Sequence, residues 1–254
     1  MMNYIGVQTL IRREIERFVR VWIQTLVSPW ITALLYILIF GVVVGQRINL
    51  MAGVTYIDFV LPGIVMLNLI NASFAQTSFS VYFERFARHI EEVLVAPLSN
   101  MEIILSYIVG GVVRGLVVGI GVYGIAIFFS AATLMHFFLF LFYSISVAMI
   151  FSLLGILIGL WSDNFEDLAL LNTFVITPLT FLGGVFNSIT MLPEKAQTII
   201  RWNPFFYFVD GLRYSMIGVR EANVAIGMTL ILTLIVGLGG LVWYLFQKGW
   251  KIRT

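Results

Sequence analysis

Uncharged apolar stretches alternate along this chain with short clusters of charge. Crossing the hydrocarbon of a bilayer takes about 20 apolar helical residues. Six stretches reach that length: 24–45, 59–83, 107–129, 137–160, 168–186 and 223–247. The first is entered through Ser28-Pro29-Trp30, where Ser28 can cap a turn and Pro29 fits the first helical position. An even number of crossings puts both ends of the chain on one side. Two further elements lie outside the spans. In 10–22, Ile11, Ile15, Phe18 and Trp22 recur at helical spacing opposite Arg12, Arg13, Glu16, Arg17 and Arg20. That pattern predicts, within 1–23, an amphipathic helix in the headgroup layer. Between the second and third spans, "HIEEVLVAPLSN" (89–100) predicts a compact polar helix.

Composition fixes the solvent. Hydrophobic residues make up 60% of the 254 and charged ones 11%, with mean hydropathy +1.00, whereas soluble domains average about 25% charged. The expected fold is therefore an all-α polytopic membrane protein, one domain over 1–254. There is no Cys, which excludes disulfides, thiolate metal sites and Cys nucleophiles. A net charge of +2 is too small to argue for nucleic acid. The charges in 12–20 argue against a cleavable signal peptide. With the N-terminus cytoplasmic, the inner segments carry Arg12, Arg13, Arg17, Arg20, Arg85, Arg88, Lys248, Lys251 and Arg253, against Arg47, Lys195, Arg201, Arg213 and Arg220 outside. The positive-inside rule favours that orientation. Trp22, Trp30, Trp161, Trp243 and Trp250 fall near the inner ends, as interfacial anchors.

The chemistry-bearing motifs are few. "GIGVYG" (119–124) matches a dinucleotide fingerprint by letters only, since it lies inside a span rather than after a strand. Gly111, Gly115 and Gly119, and likewise Gly155 and Gly159, read instead as smooth helix-packing stripes. No G-x-x-x-x-G-K-[ST] occurs, so the chain carries no P-loop and cannot by itself hydrolyse ATP that way. His89 and His136 fall at opposite faces and cannot share a metal. Asp163, Glu166 and Asp167 form an acidic inner loop, either solvated or pairing. Arg114, near the inner boundary of the third span, either snorkels or is buried against those acids. The second span carries Asn68, Asn71, Ser73, Gln76, Thr77, Ser78 and Ser80, and should face a partner helix or a polar path. Between the fifth and sixth spans, 187–222 shows helix starts at Pro193 and at Asn203-Pro204. Two short helices there, dipping from the outer side, would put Arg201, Asp210 and Arg213 at an outer mouth.

Taken together, the order of elements, "EEVLVAPLS", "TPLTFLGGVFNSITMLP" and "NPFFYFVDGLRY" resemble the membrane subunits of ABC type-2 exporters over almost the whole chain. The resemblance implies a six-span permease that forms a homodimer in the bacterial inner membrane. It would bind no cofactor itself, with ATP and Mg on a separate ATP-binding subunit. The resemblance further implies that 84–97 is a coupling helix offering His89, Glu91, Glu92 and Pro97 to that subunit. On the same grounds 1–23 is a gate helix and 187–222 an outer re-entrant pair. Exported substrates in such a family are lipid-linked, saccharide or drug-like. The competing reading is an independent secondary transporter or channel, which would need intramembrane ionisable groups. Arg114 is the only candidate among the spans.

Overall fold

In the computed structural model, which describes residues 3–48, 50–129 and 134–251, six helices are long and apolar enough to cross a membrane. Helix α1 (Tyr4–Arg20) precedes the first span, Ile23–Gly41, which contains α2 (Ser28–Tyr36). The second to fourth spans are α3 (Tyr56–Phe86), α5 (Asn100–Ala126) and α6 (Phe137–Trp161), with the short α4 (Ile90–Val95) between α3 and α5. The fifth, Phe165–Val185, is built from α7 (Phe165–Leu171), α8 (Thr177–Thr180) and π-helical turns. Two shorter helices, α9 (Glu194–Arg201) and α10 (Pro204–Ile217), lead to the sixth span, α11 (Val224–Lys248). The sequence boundaries agree to within a few residues except at the start of the third span, which begins earlier at Asn100. Arg253 and most of the 130–136 break lie outside the described residues.

Helix α3 is the centre of the bundle, buried along most of its length. Both glycine stripes are turned towards it. A methyl group on Gly155 would stand 2.0 Å from Thr77 Oγ1, and one on Gly115 would stand 2.0 Å from Ser73 Oγ. Gly111 sits against Thr77 and Ser152, Gly119 against Leu69, and Gly159 against the Ser78 carbonyl. The absence of side chains lets α5 and α6 approach the α3 backbone closely, which is how helices gain dispersion energy in lipid. The polar residues of α3 match this packing. Asn68 donates to Ile64 O at 2.8 Å and Thr77 to Ser73 O at 3.2 Å, so their polar atoms close on their own helix. The second span faces partner helices, as expected, and they are its own neighbours.

The first and fifth spans share a different signature. In each, a Ser-Pro or Thr-Pro pair follows a π-helical turn, Ile23–Val27 before Pro29 and Asn172–Ile176 before Pro178. Ser28 N–H reaches back five residues to Ile23 O, and Thr177 N–H to Asn172 O. Proline supplies no N–H and its ring crowds the carbonyl four residues earlier; a widened turn relieves both. These two spans and α11 bury little of their surface within the chain. Trp30 departs from its expected place at the inner boundary. Its Nε1 donates to Val118 O at 3.2 Å in the C-terminal half of α5, and its ring lies over Gly121.

The first and last described residues, Asn3 and Lys251, lie at the same end of the bundle. Asn3 contacts Pro97 and Glu102, and Lys251 contacts Arg85 and Trp161. At the other end a two-residue hairpin pairs Leu50 with Thr55 and Met51 with Val54, turned by Ala52 and Gly53 at φ 51° and 85°. The glycine packing yields a direct test. Gly155→Ala should lower stability by about 1–3 kcal/mol, the usual cost of overpacking. Gly237→Ala, where nothing lies within 4 Å, should be neutral or slightly stabilising. Thermal unfolding of the two purified variants separates them, and equal midpoints would contradict the packing.

Candidate functional site

The candidate site has three parts stacked along α3: the α4 segment, a charge cluster above it, and a second cluster at the far end. The helix in "HIEEVLVAPLSN" is shorter than the 84–97 expected. It covers Ile90–Val95, while Glu84 belongs to α3. Arg88, at φ 58°, breaks the two helices apart. Ile90 and Val93 are buried among Val81, Ile103, Ile104 and Tyr107, which fixes the inner face of α4. His89, Glu91, Glu92, Val95 and Pro97 are exposed. Both carboxylates of α4 therefore point away from the core. Ser99 and Glu102 form a capping box that starts α5, and Glu102 also accepts from the Asn3 N–H at 2.6 Å. Asn3 Nδ2 donates to Pro97 O at 3.3 Å, tying the start of α1 to the end of the α4 segment.

Directly above lies a buried ionic cluster, and it corrects the reading of α1. The helical pattern places Arg13 and Arg17 opposite the apolar stripe, facing away from the bilayer. The structure turns them inward with Glu14, leaving Arg12 and Arg20 exposed. Glu84, 1% exposed, takes both guanidiniums, with Arg17 Nη2 at 2.7 Å. Tyr107 donates to the other oxygen of the same carboxylate. Glu14, also 1% exposed, accepts from Ser80 Oγ at 2.5 Å and Gln76 Nε2 at 3.3 Å, with Arg17 Nη1 3.3 Å away. Burial pushes the Glu14 carboxyl above the usual range, and Arg17 and Ser80 pull it back. Two arginines thus balance two carboxylates. The reason for the inversion is energetic: a buried charge is tolerated only when paired and hydrogen-bonded, and α3 and α5 supply those partners.

Arg114 continues this polar column. Its Nη1 donates to Gln76 Oε1 at 3.3 Å; none of the inner-loop acids expected as its partners pairs with it. Asp163 pairs with Lys251 at 2.7 Å, which holds its carboxyl below the usual range, and Asp167 caps its own helix. Glu166 is exposed. Gln76 therefore links Arg114 to Glu14. Asn68 is buried, while Asn71 keeps its Oδ1 buried without a partner, as does Asn172 in the fifth span.

At the far end, Asp210 and Arg213 share a buried site and Arg201 stands apart, exposed at the end of α9. Arg213 is 0% exposed. Its Nε donates to Phe59 O at 3.1 Å, its Nη2 to Gly184 O at 2.5 Å, and its guanidinium lies 3.8 Å over the Phe59 ring. Asp210 accepts the N–H groups of Glu221 and Ala222, each at 2.9 Å. Glu221 in turn accepts from Ser188 and from the Ile189 N–H. Nη1 of Arg213 is 3.9 Å from a carboxylate oxygen of each acid. The expected mouth residues thus divide: Asp210 and Arg213 join α10 to α3, the fifth span and the loop before α11, while Arg201 takes no part.

Comparison with known proteins bears on what this arrangement serves. Residues 6–217, from α1 to the end of α10, match the profile described as "ABC-2 type transporter". The chain belongs to the ABC-2 type transporter family. It is 39% identical over 253 residues to the inner membrane transport permease YadH of Escherichia coli K12, covering 100% of this chain and 99% of that protein. Nodulation protein J of Rhizobium meliloti is 25% identical over 213 residues, covering 82% of this chain and 79% of its own. The likeness to YadH extends through α11. With six apolar helices the chain is a multi-pass inner-membrane protein.

Sequence reasoning missed Glu14, Glu84, Tyr107 and Glu221. One signal was available: at about 100° per residue the charges of α1, from Arg12 round to Glu14, spread over about 200° of the helix, so α1 cannot keep all of its charge in the headgroups. No comparable signal marks Tyr107. The far-end cluster makes a sharp prediction. Arg213→Ala leaves two carboxylates and two carbonyls without their cation, a loss of about 3–5 kcal/mol for a broken buried pair. Arg201→Ala should be close to neutral. Detergent-resistant folded yield and unfolding midpoint check this, and equal behaviour of the two variants would refute it.

Proposed function

We propose that this ABC-2 permease is the membrane subunit of an ATP-binding cassette exporter. Two copies enclose the pathway, and a separate subunit carrying ATP and Mg docks on α4 from the cytoplasm. The observation that carries this reading is the two-sided character of α4. One face is locked into the core by Ile90 and Val93, and the other offers Glu91 and Glu92 with no partner among the described residues. A six-residue helix with that division moves as one piece with the span ends it packs on. The excess of Lys and Arg near the end carrying both termini supports a cytoplasmic location for it.

The route from α4 into the membrane runs through Glu84. A push on α4 reaches the end of α3, and Glu84 passes it to α1 through Arg13 and Arg17 and to α5 through Tyr107. The apolar, little-covered faces of the first and fifth spans suit contact with a second copy, and two-fold symmetry is the commonest solution for a homo-oligomer. Asn71 and Asn172, with unmet buried acceptors, suit a path that admits polar groups. That agrees with a lipid-linked, saccharide or drug-like substrate.

Reversing both exposed charges tests the docking reading. Glu91→Lys with Glu92→Lys leaves the Ile90 and Val93 face intact, so insertion and unfolding temperature should be unchanged. Recovery of an ATP-hydrolysing partner on the tagged permease should fall about tenfold or more, since like charges across an interface are strongly disfavoured. Equal recovery by wild type and double variant, at low and physiological salt, would remove α4 as the docking element.

A further inference from the structure

Beside α4, at the end of the bundle that holds both termini, a cleft of about 130 Å³ is lined by Tyr82, Arg85, Phe86, Arg88, Glu91 and Lys251, among others. Four segments meet there. Arg85, at the end of α3, donates through Nε to Lys251 O at 2.7 Å and through Nη1 to Gly159 O and Ser162 O at 2.8 and 3.0 Å. Lys251 Nζ donates to Trp161 O and Asp163 Oδ1 at 2.8 and 2.7 Å. The ends of the second, fourth and sixth spans are thereby knotted together next to α4.

The charges in this knot do not cancel. Asp163 is spent on Lys251. Arg85 is held by three carbonyl oxygens, which orient a guanidinium but leave its full positive charge. Arg88 is exposed, and its guanidinium has no carboxylate or other polar partner among the described residues. Its backbone stands at φ 58°, a region L residues rarely adopt, with Arg88 N–H bonded to Arg85 O at 3.1 Å. The turn therefore holds a second cation at the cleft beside a fixed first one. Glu91 is the only other carboxylate among the lining residues.

We propose that this cleft receives a carboxylate side chain of the ATP-binding partner, with Arg85 and Arg88 as its counter-charges. The proposal rests on the docking reading of α4 and adds a second, oppositely charged contact to it. Charge-assisted bonds from guanidinium to carboxylate are the strong ones, and the arginine fork is shaped for them. The neighbouring face selects the occupant. Glu91 lines the cleft together with Arg88, and Glu92 follows it, exposed, on α4. An anionic lipid leaflet is repelled by that acidic pair, whereas a protein surface of mixed sign matches both halves. A partner held at both points would grip α4 and the span-end knot together, so that its movement reaches three spans at once.

The test uses the intact permease in nanodiscs with the ATPase that co-purifies with the wild-type chain, identified by its nucleotide-binding motif and by hydrolysis. Arg88→Glu, Arg88→Lys and the Glu91/Glu92 double reversal are compared for ATPase bound per permease. Arg88→Glu should reduce binding by about tenfold, and Arg88→Lys should keep most of it. A photo-crosslinking residue at position 88 should join a partner peptide containing Asp or Glu. If the double reversal abolishes binding while Arg88→Glu leaves it unchanged, the cleft is overturned and α4 docking stands. If Arg88→Glu weakens binding while the double reversal does not, the α4 reading fails instead. Loss of retained phosphatidylglycerol in Arg88→Glu, with ATPase binding unchanged, would assign the cleft to headgroups and overturn the proposal.

Discussion

Everything else in this structure depends on how closely α5 and α6 approach α3. A helix bearing Ser73, Thr77, Ser78 and Ser80 would be a poor face for lipid, and burying it leaves no room for side chains opposite. Glycine at 111, 115, 155 and 159 removes them. The hydroxyls of Thr77 and Ser78 donate to the Ser73 and Ala75 carbonyls of the same helix, which meets their hydrogen bonding, while Ser73 Oγ stays buried without a partner. In lipid there is little hydrophobic drive between helices, and tight backbone contact takes its place. The result is a three-helix centre with α1, α10 and α11 added around it.

Both ends of α3 are then fixed by arginines, in different ways: partly exposed ones on a buried carboxylate at one end, a fully buried one at the other. At the terminus-bearing end, Arg13 and Arg17 reach Glu84 from outside the helix, and the cluster is charge-balanced and shared with α5. At the far end, Arg213 binds the Phe59 carbonyl and covers its ring, and its acids come from α10 and the following loop. Buried ion pairs give little net stability compared with apolar packing, but removing one partner is severe. Such clusters hold helices in register more than they strengthen the fold. A post clamped at both ends suits the proposed transmission of a displacement from α4 across the membrane.

Periodicity and charge spacing make the outline legible. A charge-free apolar run of about 20 residues matches the thickness of the hydrocarbon and far exceeds an ordinary strand or core helix segment. The short helices at 90–95, 194–201 and 204–217 are visible because Pro and Asn mark their edges. The glycine stripes are legible as packing faces, but not their target, since spacing says which face is smooth and not what lies on it. The three-residue separation of Asp210 and Arg213 pairs them correctly. Their burial is hidden, because it comes from Phe59 and Gly184, distant in sequence. Glu84 is hidden for a related reason: a charge at the end of an apolar run reads as the start of a loop, and only the fold brings α1 across it. Trp30 is misplaced in the sequence reading because its partner, Gly121, is on a different span.

On the proposed function, displacement of the α4 segment travels through Glu84 to the far end of the bundle. The chain has no cysteine, so an environment-sensitive fluorophore can be placed at Lys195→Cys on the exposed far-end helix α9. ATP is then added to the permease–ATPase complex, with native Glu84 or with Glu84→Gln. An ATP-dependent change in emission is expected with Glu84 present, and its loss in Glu84→Gln while the ATPase stays bound and hydrolyses ATP. An undiminished far-end response in Glu84→Gln would contradict it.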